Sequence, residues 1–288
     1  MPTKKEKDDL TGQETTGHEW DGIEELNNPL PKWWLYVFYA SIVWAVGYML
    51  LFPAIPSLTG YTKGLLGWER RAIVEQDIRQ ARAAQATYLD GIRETDLSGI
   101  MGDPDLLNFS LRGGEAVFAD NCAACHGQGG AGRPGGYPAL VDDNWLWGGD
   151  LENIHHTIAY GVRNEHSDSR SSQMPAFGGM LDRDELRSVT EYVISLAREP
   201  EDAELAEAGR EVYATQCAAC HGDDGGGMTQ LGAPTLNNDI WLYGGERGEI
   251  SRQIANPRHG VMPPWEERLG EEMVKMLTVY VHALGGGE

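Results

Sequence analysis

The stretch Cys122-Ala123-Ala124-Cys125-His126 recurs letter for letter as Cys217-Ala218-Ala219-Cys220-His221, and the two copies use every cysteine in the chain. Two thiols three positions apart can each form a thioether with one haem vinyl group, and the adjacent histidine then lies under the iron as its proximal ligand. A zinc site would need further ligands at close spacing, and no second Cys-x-x-Cys or His-x-His pair lies near either copy. A thioredoxin-like redox pair calls for a βαβ pattern and has no use for the histidine. Two identical pairs are an odd way to build structural disulfides. The spacing therefore predicts two covalently bound haem c groups, attached through Cys122, Cys125, Cys217 and Cys220, with His126 and His221 as axial ligands.

Outward from these motifs the chain repeats itself. Gly114-x-x-x-Phe118 maps onto Gly209-x-x-x-Tyr213 with the same offset as the cysteines, and Asn144-Trp145-Leu146-Trp147-Gly148-Gly149 maps onto Ile240-Trp241-Leu242-Tyr243-Gly244-Gly245. Met174-Pro175 maps onto Met262-Pro263, and Val189-x-x-Tyr192-x-x-x-Leu196 onto Leu277-x-x-Tyr280-x-x-x-Leu284. The first copy carries about eight extra residues before its methionine, within the polar stretch Asn164 to Gln173. Each iron needs a sixth ligand, and a thioether raises the reduction potential as electron transfer requires. Met174 and Met262 are the candidates, because each precedes a proline and stands between the Trp-Gly-Gly stretch and the last helix of its copy. Met101, Met180, Met228, Met273 and Met276 are assigned to surface or core. His155, His156 and His166 have no counterpart in the second copy, and His259 is three residues from Met262, so these are read as surface histidines. The default arrangement gives each methionine to the haem of its own domain. An exchange of ligand loops between the adjacent domains is the open alternative.

These landmarks resemble class I cytochromes c, small all-helical domains that wrap a haem. In that family a glycine and an aromatic four apart on the first helix cross a terminal helix through an aromatic and an aliphatic residue. The resemblance implies that Gly114 and Phe118 meet Val189 and Tyr192, and that Gly209 and Tyr213 meet Leu277 and Tyr280. Glycine serves at such a crossing because backbones approach closely where no Cβ intervenes.

The remainder of the chain sets the frame. Its 288 residues allow two domains of about 100 residues each plus an extension. A formal net charge of -21 argues against a nucleic-acid partner, which would want a basic face, and allows the docking of a basic protein. Residues 1–31 are polar and acidic, with lysines at the extreme end, and read as a tail unless a partner holds them. Within them Trp20, Ile23 and Leu26 recur at helical spacing and would form one apolar edge. Trp33 to Phe52 is an uncharged run of about 30 Å as a helix, the hydrocarbon thickness of a bilayer, with Trp33, Trp34 and Tyr36 at one end as interfacial aromatics. A cleaved signal peptide fits poorly, since the leader is acidic and no small-residue cleavage site follows. Lys63, Arg70 and Arg71 after the span would put the carboxyl side in the cytoplasm by the positive-inside rule. Long domains translocate with little regard to charge, and haem c is attached outside the bacterial cytoplasmic membrane, so that side is expected in the periplasm. From Trp68 to about Ile92, apolar residues recur at helical spacing among charged ones. Asp103-Pro104 then reads as an N-cap followed by proline at the first helical position.

The expected fold is thus all-α: a cytoplasmic N-terminal segment (1–31), a transmembrane helix (32–56), an amphipathic helical linker (57–102) and two tandem cytochrome c domains (103–199 and 200–288). The whole set resembles the dihaem cytochrome c subunit, subunit III, of cbb3-type cytochrome c oxidases. The residues that carry this are His18-x-Trp20-Asp21-Gly22-Ile23-Glu24-Glu25, Asn28-Pro29-Leu30-Pro31, the span beginning Trp33-Trp34, Met174-Pro175-Ala176-Phe177-Gly178 and Gly260-Val261-Met262-Pro263. One departure is Asn256-Pro257, where the resemblance leads to a glycine-arginine turn. The resemblance implies a relay that takes electrons from a donor cytochrome c or cytochrome bc complex and passes them to a monohaem cytochrome c subunit. That subunit feeds a catalytic haem-copper oxidase subunit. No histidine cluster in a membrane helix of this chain could hold such a centre. A free-standing membrane-anchored dihaem carrier and a dihaem peroxidase are the rival readings.

Overall fold

The computed structural model describes residues 6–285 and Gly287. The expected lysines at positions 4 and 5 lie outside the described residues. The chain divides between Ala83 and Ala84 into two compact units.

In the first unit, strands β1 (Thr15–Trp20) and β2 (Ile23–Leu26) pair antiparallel. The helical spacing expected for Trp20, Ile23 and Leu26 is overturned. Asp21 and Gly22 both have positive φ, 51° and 84°, the geometry of a two-residue hairpin turn that an Asp-Gly pair favours. Trp20 and Ile23 face each other across the strands and remain 67% and 72% exposed, so the apolar edge survives in a different backbone. Helix α1 (Lys32–Leu51) follows Pro31, is long and apolar enough to cross a membrane and buries none of its residues. A small hairpin of β3 (Pro56–Ser57) and β4 (Gly60–Tyr61) follows it.

Helix α2 (Arg70–Glu94) runs from the first unit into the second. There Ile92 is fully buried, Tyr88 stacks on Phe109, and Lys275 Nζ donates to the carbonyls of Ile92, Arg93 and Thr95 at the helix end. A short α3 (Leu97–Gly102) leads into α4 (Pro104–Asn121), which starts as expected: the Asp103 carboxylate accepts from the amides of Asp105 and Leu106, and Pro104 opens the helix. Then come α5 (Ala123–His126), α6 (Leu151–Tyr160), α7 (Arg183–Ala197), α8 (Ala203–Gln216), α9 (Ala218–His221), α10 (Arg247–Ala255), α11 (Glu266–Leu269) and α12 (Glu271–His282).

The helices pair across the two copies of the repeat. The most extensive packing is α7 on α8 and α12 on α4. A Cβ on Gly114 would meet the Met276 carbonyl at 2.4 Å, and Phe118 lies 5.4 Å from Tyr280, ring centre to ring centre. A Cβ on Gly209 would meet the Ser188 carbonyl at 2.0 Å, and Tyr213 lies 5.0 Å from Tyr192. The crossings therefore exist with the expected residue types but with partners exchanged. Gly114 and Phe118 meet the last helix, and Gly209 and Tyr213 meet Val189 and Tyr192. The bounds 103–199 and 200–288 enclose the two copies of the repeat, and the helix packing crosses between them. One lobe is built from α4, α5, α6, α11 and α12; the other, from Met174 to α10, is inserted within it. The reason lies in the connection between α7 and α8, which spans only Arg198 to Asp202. So short a link makes the two helices a hairpin and holds them side by side. Glu191, buried in α7, pins that link by accepting from the amides of Glu201 and Asp202 and pairing with Arg247 at 2.7 Å.

Candidate functional site

Each Cys-x-x-Cys-His motif sits where a long helix ends and a single helical turn begins. Cys122 caps α4 and Cys217 caps α8, so the first thiol is carried inward while Cys125 and Cys220 face outward. Burial pushes both inner thiols up to about 11, which keeps Cys122 and Cys217 protonated near neutral pH. Among the described residues no three His, Cys, Asp or Glu side chains converge as a metal-ion cage.

The two histidines are set alike. His126 Nδ1 lies 3.0 Å from the Pro138 carbonyl, and His221 Nδ1 lies 3.0 Å from the Pro234 carbonyl. A carbonyl only accepts, so Nδ1 carries the proton and Nε2 keeps its lone pair for a metal. Burial pulls both imidazoles below the usual histidine range, which favours the same neutral form.

The methionines lie with the opposite motif. Met174 packs on the cluster that holds Cys217, Tyr213, Ile250 and Ile254, against which Ala218 also packs. Met262 packs on the cluster of Phe118, Ile154 and Ile158, against which Cys122 and Ala123 also pack. The packing places each methionine beside the cluster of the opposite motif, the neighbourhood that the open alternative of exchanged ligand loops requires. It follows from the helix exchange: each methionine precedes the terminal helix of its copy and travels with it.

A cavity of about 710 Å³ has His221, Cys217, Cys220, Met174, Phe177 and Trp241 of the inserted lobe among its walls and extends to Tyr137, Pro138 and Arg163 of the other. Its size and largely apolar lining fall in the range of cofactor pockets. One polar atom on that wall is an orphan: Trp241 Nε1 is buried and has no hydrogen-bond partner. An indole N–H can only donate, so the cavity presents a donor waiting for an acceptor on its occupant. A flat apolar group with acidic substituents, held by two thiols and an imidazole, satisfies every one of these features, and haem c is such a group.

The lobes meet through matched pieces of the repeat. Trp147 lies over Gly232 and Tyr243 over Gly136, and a Cβ on either glycine would overlap the ring at 2.3 and 2.5 Å. Both glycines have positive φ, so no other residue suits these points. Asn144 and Asn238 hydrogen bond across the same junction. His156 and His166, expected at the surface, are both engaged around the turn that follows α6: His156, on the helix, has its Nε2 3.0 Å from the Asp168 carbonyl, and His166, in the turn, stacks on Tyr160. Sequence reasoning did not single out Gly161, Val162 or Asn164, which contact the Met262 segment directly. The unusual run of extra residues after Val162 was the only hint.

Comparison with known proteins identifies the family. Residues 12–59 match the model of the N-terminal domain of cytochrome oxidase-cbb3, FixP. Residues 109–193 and 204–281 match that of cytochrome c oxidase, cbb3-type, subunit III. The chain is 50% identical over 286 residues to a cbb3-type cytochrome c oxidase subunit FixPc of Rhizobium leguminosarum bv. viciae, covering 99% of each chain. It is 50% identical over 277 residues to a subunit CcoP of Cereibacter sphaeroides, covering 95% of each. It is 48% identical over 294 residues to a CcoP of Azospirillum brasilense, covering 99% of each. With the repeated motif, the two helix crossings and an end-to-end match of this kind, the chain belongs to the family of subunit III of cbb3-type cytochrome c oxidases.

Proposed function

We propose that the chain is the membrane-anchored electron relay of a cbb3-type oxidase and carries two covalent haem c groups. One is held at Cys122, Cys125 and His126 and capped by Met262; the other is held at Cys217, Cys220 and His221 and capped by Met174. The observation that carries the reading is that His221 and Met174 line one cavity in which Trp241 Nε1 is an orphaned donor.

Bound haem c supplies one-electron exchange at its iron. The residues of the chain do the rest. Cys122, Cys125, Cys217 and Cys220 would hold the two groups covalently through thioether bonds. Pro138 and Pro234 hold the imidazoles in the tautomer that offers Nε2. The methionine thioethers favour the reduced iron and raise the potential. Trp241 Nε1 would donate to an acidic substituent of the group in its cavity, and the apolar walls would exclude water.

The amino-terminal segment lies on the cytoplasmic side in this reading, α1 crosses the cytoplasmic membrane, and both lobes stand in the periplasm. The acidic surface speeds encounter with a basic donor, a cytochrome c or a cytochrome bc complex. Electrons leave toward a monohaem cytochrome c subunit and the catalytic haem-copper subunit. The exposed Trp20 and Ile23 pair is the part of the first unit suited to a partner, since leaving each large apolar side chain in water forgoes about 1.5–3 kcal/mol of burial.

The test is purification in mild detergent with haem iron quantified against protein, for the full chain and for a chain lacking Gly17 to Asn28. The full chain is expected to bring a haem-copper partner with it and to carry two haems per polypeptide. The shortened chain is expected to keep both haems and lose most of the partner. One haem per chain, or no haem-copper partner with the full chain, would overturn the reading.

A further inference from the structure

The two methionine segments are held very differently. Met262 lies in a small β-like clamp. Its N–H donates to the Val162 carbonyl at 2.9 Å and its own carbonyl accepts from the Val162 N–H at 3.0 Å. The same carbonyl accepts from Asn164 Nδ2 at 2.8 Å, and Arg163 Nε donates to the Gly260 carbonyl at 2.6 Å. Gly161, with φ at +70°, makes room for it, since a Cβ there would stand 2.3 Å from the Met262 oxygen. The extra residues of the first copy buttress the other side: Arg170 N–H donates to the Gly161 carbonyl, and Arg163 N–H donates to the Arg170 carbonyl.

The corresponding place in the second copy cannot be built this way. Counted from the residue that caps each helix, Gly161 after α6 and Asn256 after α10, the counterpart of Val162 is Pro257. Proline has no N–H to donate. The second copy also lacks the extra residues, so nothing stands where Asn164 and Arg170 stand. Among the described residues, no hydrogen bond reaches the backbone of Met174.

We propose that Gly161, Val162 and Asn164 are positioning residues that clamp Met262 onto its iron, and that Pro257 leaves Met174 unclamped. The iron of the Cys217 site is then the one that exchanges its methionine for a small nitrogenous or anionic ligand. The physical reason is that releasing the Met262 sulfur means moving a backbone bonded at the methionine itself, whereas among the described residues the Met174 backbone carries no such bond and its segment is tied two residues earlier, where Arg163 Nη1 donates to the Ser172 carbonyl at 3.0 Å. The inference rests on the proposed ligand assignment and goes beyond it by giving the two irons different exchange behaviour.

The experiment is an imidazole titration of the oxidised, full-length chain in detergent, following the weak sulfur-to-iron absorption at the red edge of the spectrum. The wild type is expected to lose this band in two steps separated by ~10-fold or more in imidazole, which corresponds to about 1.4 kcal/mol. In Met174→Leu only the step at high imidazole remains, and in Met262→Leu only the step at low imidazole. Asn164→Ala moves the high step down by ~3-fold or more, on the scale of one hydrogen bond, and leaves the low step in place. A single step in the wild type, a reversed assignment in the leucine variants, or an unmoved high step in Asn164→Ala would overturn the clamp while the ligand assignment stands. A leucine variant that keeps the full band would overturn both together.

Discussion

Replacing Met174 by leucine lowers the potential of one haem by on the order of 0.1–0.3 V, a share of the roughly 0.8 V range that axial ligation spans. Replacing Met262 does the same to the other haem. Leucine keeps the volume and apolar character of the thioether but offers no lone pair, so the change acts on ligation with little effect on packing. A redox titration of each variant beside the wild type reads the effect. The wild-type pair of high-potential transitions becomes one high and one low in either variant, and an unshifted titration would remove that methionine from the ligand set.

A valine at Gly209 or Gly114 is expected to cost about 3 kcal/mol or more, at the upper end of overpacking effects, because the obstacle is backbone. The Cβ of Gly209→Val would fall 2.0 Å from the Ser188 carbonyl, and that of Gly114→Val 2.4 Å from the Met276 carbonyl. Neither carbonyl can turn aside without unwinding its helix. The exchanged packing adds a sharper expectation about which site suffers. Gly209→Val wedges α8 from α7 and so disturbs the segment of Met174, while Gly114→Val wedges α4 from α12 and disturbs that of Met262. Thermal melting followed through the sulfur-to-iron band, with the remaining methionine identified in Met→Leu backgrounds, reads both. Equal melting of the variants and the wild type would mean that the crossings are looser than the packing indicates.

Most of the site was legible in the sequence because the chemistry is local. Two thiols and an imidazole within five residues, repeated, leave little choice of cofactor, and Met174-Pro175 and Met262-Pro263 stand out by repetition. The partner of each helix was not legible in the same way. A repeat preserves the residue types at a crossing, and Gly-x-x-x-aromatic meets an aliphatic-aromatic pair equally well in either copy. The discriminating signal was the connection from Arg198 to Asp202, too short to let α7 reach back to α4 while α8 begins a separate domain. The amino-terminal hairpin was lost to a coincidence of spacing: Trp20, Ile23 and Leu26 fit a helical period, but Asp21-Gly22 is a hairpin turn pair and outweighs three apolar residues in so short a segment. The clamp on Met262 was beyond reach, since Val162 and Met262 are paired only through the exchange.

The central claim is that each iron takes its histidine from one copy of the repeat and its methionine from the other. A chain that carries serine at positions 122 and 125 retains one covalent haem, at Cys217 and Cys220, and so reports one iron alone. In that background the account predicts that Met174→Leu abolishes the sulfur-to-iron band and lowers the single potential, while Met262→Leu leaves both unchanged. A band that survives Met174→Leu and vanishes with Met262→Leu would contradict it.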